Sequence, residues 1–252
     1  MERLELAKQL AQEAGEIVLG YAKKGFRTSQ KDGGSLVTEA DLAAEKHILA
    51  KIKEYFPDDG IVAEEMGAQE GKSDFSWHID PLDGTTNFAH GLPLYGVSIG
   101  ITKGVIPYAG AIFLPPFGEL YEAERGRGAR LNGSLLSVSG TEETSSGIIA
   151  LAGPRFVDSV RDDELPLQKI ISRIRRIRVL GSIVMNLCLV AKGAADGGLC
   201  VRQNSWDAVA GVSLVEEAGG IAVDFLGEPY TTKSENLLVG NPKVVSFLQK
   251  LV

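Results

Sequence analysis

Apolar residues recur at helical spacing from the first turn of the chain. Leu4, Ala7, Leu10, Ala11, Ala14, Ile17, Val18 and Tyr21 fall three or four apart, which predicts an amphipathic helix over 2–23. Residues 26–37 break this pattern; polar and rich in glycine, they read as a mobile loop. Thr38 has the character of a helix N-cap, with Asp41 three residues on in an approximate capping box. Leu42, Ile48, Leu49, Ile52, Tyr55 and Phe56 supply the apolar face of this second helix, and Pro57 closes it. Ile61-Val62-Ala63 is a short strand that runs into Glu64-Glu65.

Past residue 90 the period shortens. Strand-like runs cover 96–102, 105–114 and 119–124, and 129–138 reads as a small hairpin turning at Asn132-Gly133. From 134 onward strands at 147–152, 177–180, 196–201 and 221–225 alternate with helices at 157–174, 182–192, 206–218 and 242–251. Early helices with a meandering sheet, then strand–helix alternation, predict an α+β lobe over 1–133 packed closely on an α/β lobe over 134–252. No repeat, low-complexity tract or long linker interrupts the two.

Composition narrows the class. With 44% hydrophobic and 23% charged residues the chain is ordinary for a soluble globular protein. A formal net charge of −7 argues against a nucleic-acid partner, whose footprint is basic. No apolar run approaches a membrane span, and Met1-Glu2-Arg3-Leu4-Glu5 lacks a signal-peptide pattern, so a cytoplasmic protein is expected. Cys188 and Cys200 show no metal or redox spacing, and His47, His78 and His90 form no zinc-type pair.

The chemistry concentrates in Trp77-His78-Ile79-Asp80-Pro81-Leu82-Asp83-Gly84-Thr85-Thr86-Asn87. Asp80 ends an apolar run, Pro81 restricts the backbone, and two carboxylates lie three residues apart. Hard oxygen ligands so placed suit Mg²⁺ or Mn²⁺. Gly84 allows close backbone approach, and Thr85 can open a helix whose free N–H groups favour an anion. The plain alternative is a tight Asp83-Gly84 turn. Glu64 and Asp207 also sit at ends of predicted elements, where functional groups gather, and Asp41 lies in the first turn of its helix. A solvated strand-end charge and a helix N-terminal charge are the alternatives for Glu64 and Asp207. Gly181-Ser182 opens another helix and is either a further anion or hydroxyl contact or a plain helix start. Two divalent ions held together would serve an in-line phosphoryl displacement, one activating water and one stabilising the leaving oxygen.

Taken in order, Ala63-Glu64-Glu65, Trp77 to Asn87, Leu180-Gly181-Ser182, Trp206-Asp207-Ala208-Val209-Ala210-Gly211 and Glu217-Ala218-Gly219-Gly220 resemble the inositol monophosphatase family of Mg²⁺-dependent, lithium-sensitive sugar and inositol phosphatases. The resemblance covers essentially the whole chain. It implies a layered αβαβα sandwich, usually dimeric, acting on a small-molecule phosphate ester. By it, Glu64, Asp80 and the Leu82 carbonyl hold the metal associated with the nucleophilic water, and Asp80, Asp83 and Asp207 hold the second. Gly84 and Thr85 hold the phosphate, Asp41 polarises the Thr85 hydroxyl, and Glu65 orients ligands or water. The loop before Asp41 is implied to supply a weaker third-metal site.

One part departs from the family. Members specialised for inositol phosphate tend to carry a glutamate seven residues before the aspartate of the Trp-Asp motif; here the residue is Cys200. Arg202, two residues along the predicted strand, is expected on the same face, where a guanidinium could pair with a second phosphate. Fructose 1,6-bisphosphate is therefore an expected substrate besides inositol 1-phosphate, with a nucleotide 3′-phosphate less favoured. The cluster Arg173, Arg175, Arg176 and Arg178 reads as a solvated edge, or else as an anion contact reaching a neighbouring subunit. The rival from another class is a regulatory binding protein that retains the fold.

Overall fold

The structure, a computed structural model, describes residues 1–31, 34–141, 147–153 and 166–252. Helices α1 (Arg3–Lys24) and α2 (Glu39–Tyr55) pack on each other and on one face of an eight-stranded sheet. Its strands are β3 (Gly60–Ala63), β4 (Gly67–Gln69), β5 (Phe75–Asp83), β6 (Gly96–Lys103), β7 (Ile106–Leu114), β8 (Glu119–Glu124), β9 (Ala129–Leu131) and β10 (Ser134–Leu135). They run in the order β10-β9-β8-β7-β6-β5-β3-β4, antiparallel except for β3 beside β5. Asn132 and Gly133 have φ of 47° and 82°, the left-handed pair a two-residue β9–β10 turn needs. The short helix α3 (Thr85–Ala89) follows β5 directly.

A second sheet joins β11 (Ile148–Ala152), β12 (Arg176–Val179), β13 (Gly197–Val201), β14 (Ile221–Val223) and β15 (Asn236–Gly240) in the order β12-β11-β13-β15-β14. Its inner face and the large sheet enclose α5 (Ile183–Ala191) and α6 (Ser205–Glu217). Alternation along the strands divides its residues cleanly. Ala152, Cys200 and Val239 face the middle helices, while Ile149, Leu199 and Leu238 join Ile170 of α4 (Leu167–Arg173) and Val244 of α7 (Pro242–Gln249) on the far side. The layers are thus α–β–α–β–α, as the resemblance implies.

The middle helix α6 is buried on every side from Asp207 to Val215, as a helix between two sheets must be. It lies against β6 and β7 because Gly100 and Gly110 face each other across those strands. A Cβ on Gly110 would come within 2.5 Å of the Ala210 Cα, and one on Gly100 within 2.8 Å of the Ala210 nitrogen. The helix that carries Asp207 therefore rests on backbone, and its depth is set by two missing side chains.

Several expectations need correction. The ends of the 26–37 loop pair as an antiparallel ribbon, β1 (Thr28–Gln30) with β2 (Leu36–Thr38); residues 32 and 33 lie outside the described residues. Of the helix expected over 157–174, residues 157–165 lie outside the described residues, and α4 forms the rest. β4 and β15 were not anticipated. In α2 the buried stripe is Ala40, Asp41, Ala44, Glu45, Ile48 and Ile52, whereas Leu42 and Tyr55 are exposed. The stripe is rotated because its N-terminal end meets polar groups of the large sheet's loops.

Gly110→Ala tests the close approach of α6. Overpacking against backbone should destabilise the protein by about 2 kcal/mol, a fall of roughly 4–8 °C in thermal midpoint. An unchanged midpoint would show that α6 can move outward freely.

Candidate active site

Residues three apart on a regular strand point to opposite faces. Asp80 and Asp83 nevertheless line one cavity. Between the pairs Asp80–Ser98 and Asp83–Gly96, β5 advances three residues while β6 advances two. The extra residue is a bulge beside Pro81, which has no N–H to give the ladder. The bulge turns both carboxylates the same way, and the Leu82 N–H donates to Asp80 Oδ1 at 2.9 Å.

Asp83 crosses to the middle layer. The Ile183 and Val184 amides donate to it at 3.3 and 3.0 Å, and the Ser182 hydroxyl donates to Oδ2. It thus satisfies free N–H groups at the start of α5, as an N-terminal anion does. Asp207 arrives from α6, where Asn204 caps the helix and its backbone N–H donates to Asp207 Oδ2 at 3.1 Å. Oxygens of Asp80, Asp83 and Asp207 all lie within 4.8 Å of one another. Burial and mutual repulsion raise all three pKa values, Asp83 to about 6, Asp207 to about 7 and Asp80 well above the usual range. Buried oxygens driven together in this way fit a hard divalent cation, which would remove the repulsion that holds protons on them.

Glu64 stands across the cavity on the turn after β3, its N–H bound to the Ile79 carbonyl at 3.1 Å. Its Oε1 meets the Lys31 ammonium at 2.8 Å, and Glu65 meets the same ammonium at 2.5 Å. Burial works against this ammonium, yet the two carboxylates raise its pKa above the ordinary lysine value. Burial raises Glu65 to about 7, with Lys31 opposing. A cation already lies between Glu64 and Glu65, so this corner too is built for positive charge.

Gly84 turns with φ of 87°, and a Cβ there would meet the Leu94 carbonyl at 2.6 Å, so only glycine fits. Thr85 then opens α3, its hydroxyl 3.0 Å from Asp41 Oδ1 and 2.9 Å from the Leu82 carbonyl. One proton serves one acceptor at a time, so the hydroxyl bonds Asp41 whenever Leu82 is engaged elsewhere. Asp41 also closes the capping box with Thr38, whose N–H donates to Oδ2 at 2.8 Å.

Of the expected site residues, Glu64, Asp80, Leu82, Asp83, Gly84, Thr85, Gly181, Ser182 and Asp207 line one cavity of about 620 Å³. Asp41 lies directly behind Thr85. Cys200 and Arg202 are not among the lining residues. Cys200 is fully buried behind Asp207 in the core, and β13 ends at Val201. Arg202 has φ of 51°, and its N–H donates to the Asn236 side chain at 3.1 Å. The strand alternation that would place it on the Cys200 face is broken there. Lys31 stands in a polar, Gly-rich stretch with no signal of a site residue, and the part played by the Asn87 side chain is likewise visible only in the fold. The Asn87 amide donates to the Leu94 and Leu180 carbonyls, each at 2.8 Å, tying α3 to the approach to α5.

This fold and this cluster of carboxylates define a phosphoric monoester hydrolase. The chain belongs to the inositol monophosphatase family, whose model matches residues 1–250. It is 34% identical over 251 residues to the fructose-1,6-bisphosphatase/inositol-1-monophosphatase of Aquifex aeolicus, covering 97% of this chain and 93% of that one. Histidinol-phosphatase of Chlorobaculum parvum is 35% identical, with 94% and 92% covered. The solved structure of extragenic suppressor protein suhB from Bartonella henselae superposes with a TM-score of 0.91 at 30% identity, over 98% of this chain and 96% of that one.

The raised carboxyls make a pH prediction for the cation-free protein. Their folded pKa values lie above those of an unfolded carboxylate, so the stability they contribute is whole below about pH 4 and is lost as pH rises through the folded values. For Asp83 and Asp207 those values are about 6 and about 7. With chelator present, the thermal midpoint should fall between pH 5 and pH 8, and the stabilisation by added Mg²⁺ should grow over that interval. An equal Mg²⁺ effect at both pH values would contradict this assignment.

Proposed function

We propose that the chain hydrolyses a small sugar or polyol phosphate, inositol 1-phosphate foremost, with Mg²⁺ as its metal. The observation that carries this reading is the buried Asp80–Asp83–Asp207 cluster facing the same cavity as Gly84 and Thr85. Glu64, Asp80, Asp83, Asp207 and the Leu82 carbonyl would hold two to three ions, with Mn²⁺ a substitute. A divalent cation there would supply polarisation of the phosphoryl oxygens and acidification of water.

The chain's own groups divide the remaining work. Gly84 and Thr85 bind the phosphate, with the amides of a helix start turned to an anion. Asp41 takes the Thr85 proton in a hydrogen bond, leaving the hydroxyl's lone pairs free to orient the attacking water. Glu64, across the cavity, accepts a proton from that water. Asp207 stabilises or protonates the departing alkoxide, and Asp83, Gly181 and Ser182 contact the alcohol. In this reading the protein is a lithium-sensitive homodimer, as the family resemblance suggests, and cytoplasmic, as the lack of a signal-peptide pattern suggests; among the described residues no helix is long and apolar enough to cross a membrane.

A second reading, activity on fructose 1,6-bisphosphate as well, is favoured by the name of the Aquifex aeolicus relative. Phosphate release from inositol 1-phosphate, fructose 1,6-bisphosphate, histidinol phosphate and a nucleotide 3′-phosphate, with and without chelator, tests both readings. Release that persists in chelator would sink the metal-dependent reading.

Asp207→Asn separates chemistry from helix stabilisation. A charge at a helix N-terminus contributes about 0.3–1 kcal/mol, whereas a catalytic ligand is worth several kcal/mol of transition-state stabilisation. The variant should lose at least roughly 100-fold in kcat while its thermal midpoint moves little. A large fall in midpoint with kcat retained would assign Asp207 to stability alone.

A further inference from the structure

Helix α2 carries a second buried carboxylate one turn beyond Asp41. Glu45 is 1% exposed and sits where the stripe through Ala44, Ile48 and Ile52 calls for an apolar side chain. Positions four apart on a helix share a face, so Asp41 and Glu45 project together toward the loops of the large sheet. Asp41 engages Thr85. Glu45 engages the other side of the cavity.

The contact is specific. β3 and β4 are joined by the three-residue loop Glu64-Glu65-Met66, with Ala63 opposite Gly67 and Gly67 at φ of 77°. Within the loop the Glu65 N–H donates to Glu45 Oε2 at 3.0 Å and the Met66 N–H donates to Oε1 at 2.8 Å. The Glu64 N–H donates to the carbonyl of Ile79, the residue before Asp80. Three successive amides are thus fixed, one by β5 and two by Glu45, and the side chain they orient is that of Glu64.

We infer that Glu45 is a positioning residue for Glu64, its carboxylate clamping the β3–β4 turn so that Glu64 stays aimed across the cavity at Asp80. The inference rests on the proposed role of Glu64 as a working carboxylate. A core residue merely filling space would need no charge. A carboxylate buried there earns its place through the two amides, which an apolar replacement would leave without partners.

Two measurements test it. Hydrogen exchange across residues 60–69, in the absence of substrate, should quicken in Glu45→Ala and to a smaller degree in Glu45→Gln, which keeps one acceptor oxygen. Unchanged exchange in both variants would overturn the clamp, whatever the enzyme's activity. The second is a double-mutant cycle with Glu64→Gln. Glu45→Ala, or Glu45→Gln should the alanine variant fold poorly, should lower kcat by roughly 10–100-fold, the scale of a misplaced group, with KM changed less than about twofold. In the Glu64→Gln background the same change should have little further effect. Equal losses in both backgrounds would overturn the inference and leave Glu45 as a general structural residue. If Glu64→Gln alone leaves phosphate release intact, the role of Glu64 fails while the exchange result still stands.

Discussion

Three aspartates that repel one another are held together where the layers of this molecule meet. Asp80 and Asp83 come from one strand and Asp207 from a helix of the next layer, and each is nearly out of water. The fold answers with directed donors. The start of α5 faces Asp83, the Asn204 cap faces Asp207, and the Leu82 amide faces Asp80. These donors offset part of the cost, yet burial, with the carboxylates' repulsion added, still raises all three pKa values.

That requirement explains the middle layer. A carboxylate from the large sheet can cap α5 only if α5 lies against that sheet, and Asp207 can join it only if α6 lies equally deep. The paired glycines Gly100 and Gly110 supply the depth for α6, and the Asn87 amide ties the Thr85 helix to the Leu180 end of the second sheet. The seam between the layers and the cavity are therefore one construction. Neither half of the chain holds the three aspartates alone.

The other wall is organised by α2, which presents polar groups at its N-terminal end and apolar ones beyond. Asp41 and Glu45 reach the Gly84-Thr85 turn and the Glu64 turn, while Ile48 and Ile52 anchor the helix in the core. The Lys31 ammonium balances charge on the Glu64–Glu65 side. Opposing walls of the cavity thus meet their negative charge by different means, oriented backbone amides on one and an ammonium on the other.

Much of this was legible in the residues themselves. Period marked the helices and most strands, Asn132-Gly133 marked its turn, Thr38 and Asp41 marked their capping box, and the carboxylates at element ends marked the cavity. These are local properties, set by backbone geometry within a few residues, so they travel with the sequence. Tertiary structure decided the rest. The bulge that turns Asp80 and Asp83 to one side needs β6 as its partner strand. Arg202 leaves the face of Cys200 because its backbone turns to Asn236, thirty-four residues away. Glu45 has no signal of its own in the helical pattern, and only the Glu65 and Met66 amides, brought from another element, give its carboxylate partners. A side chain's type says which partner it can take, but only the packed chain brings that partner within hydrogen-bonding distance.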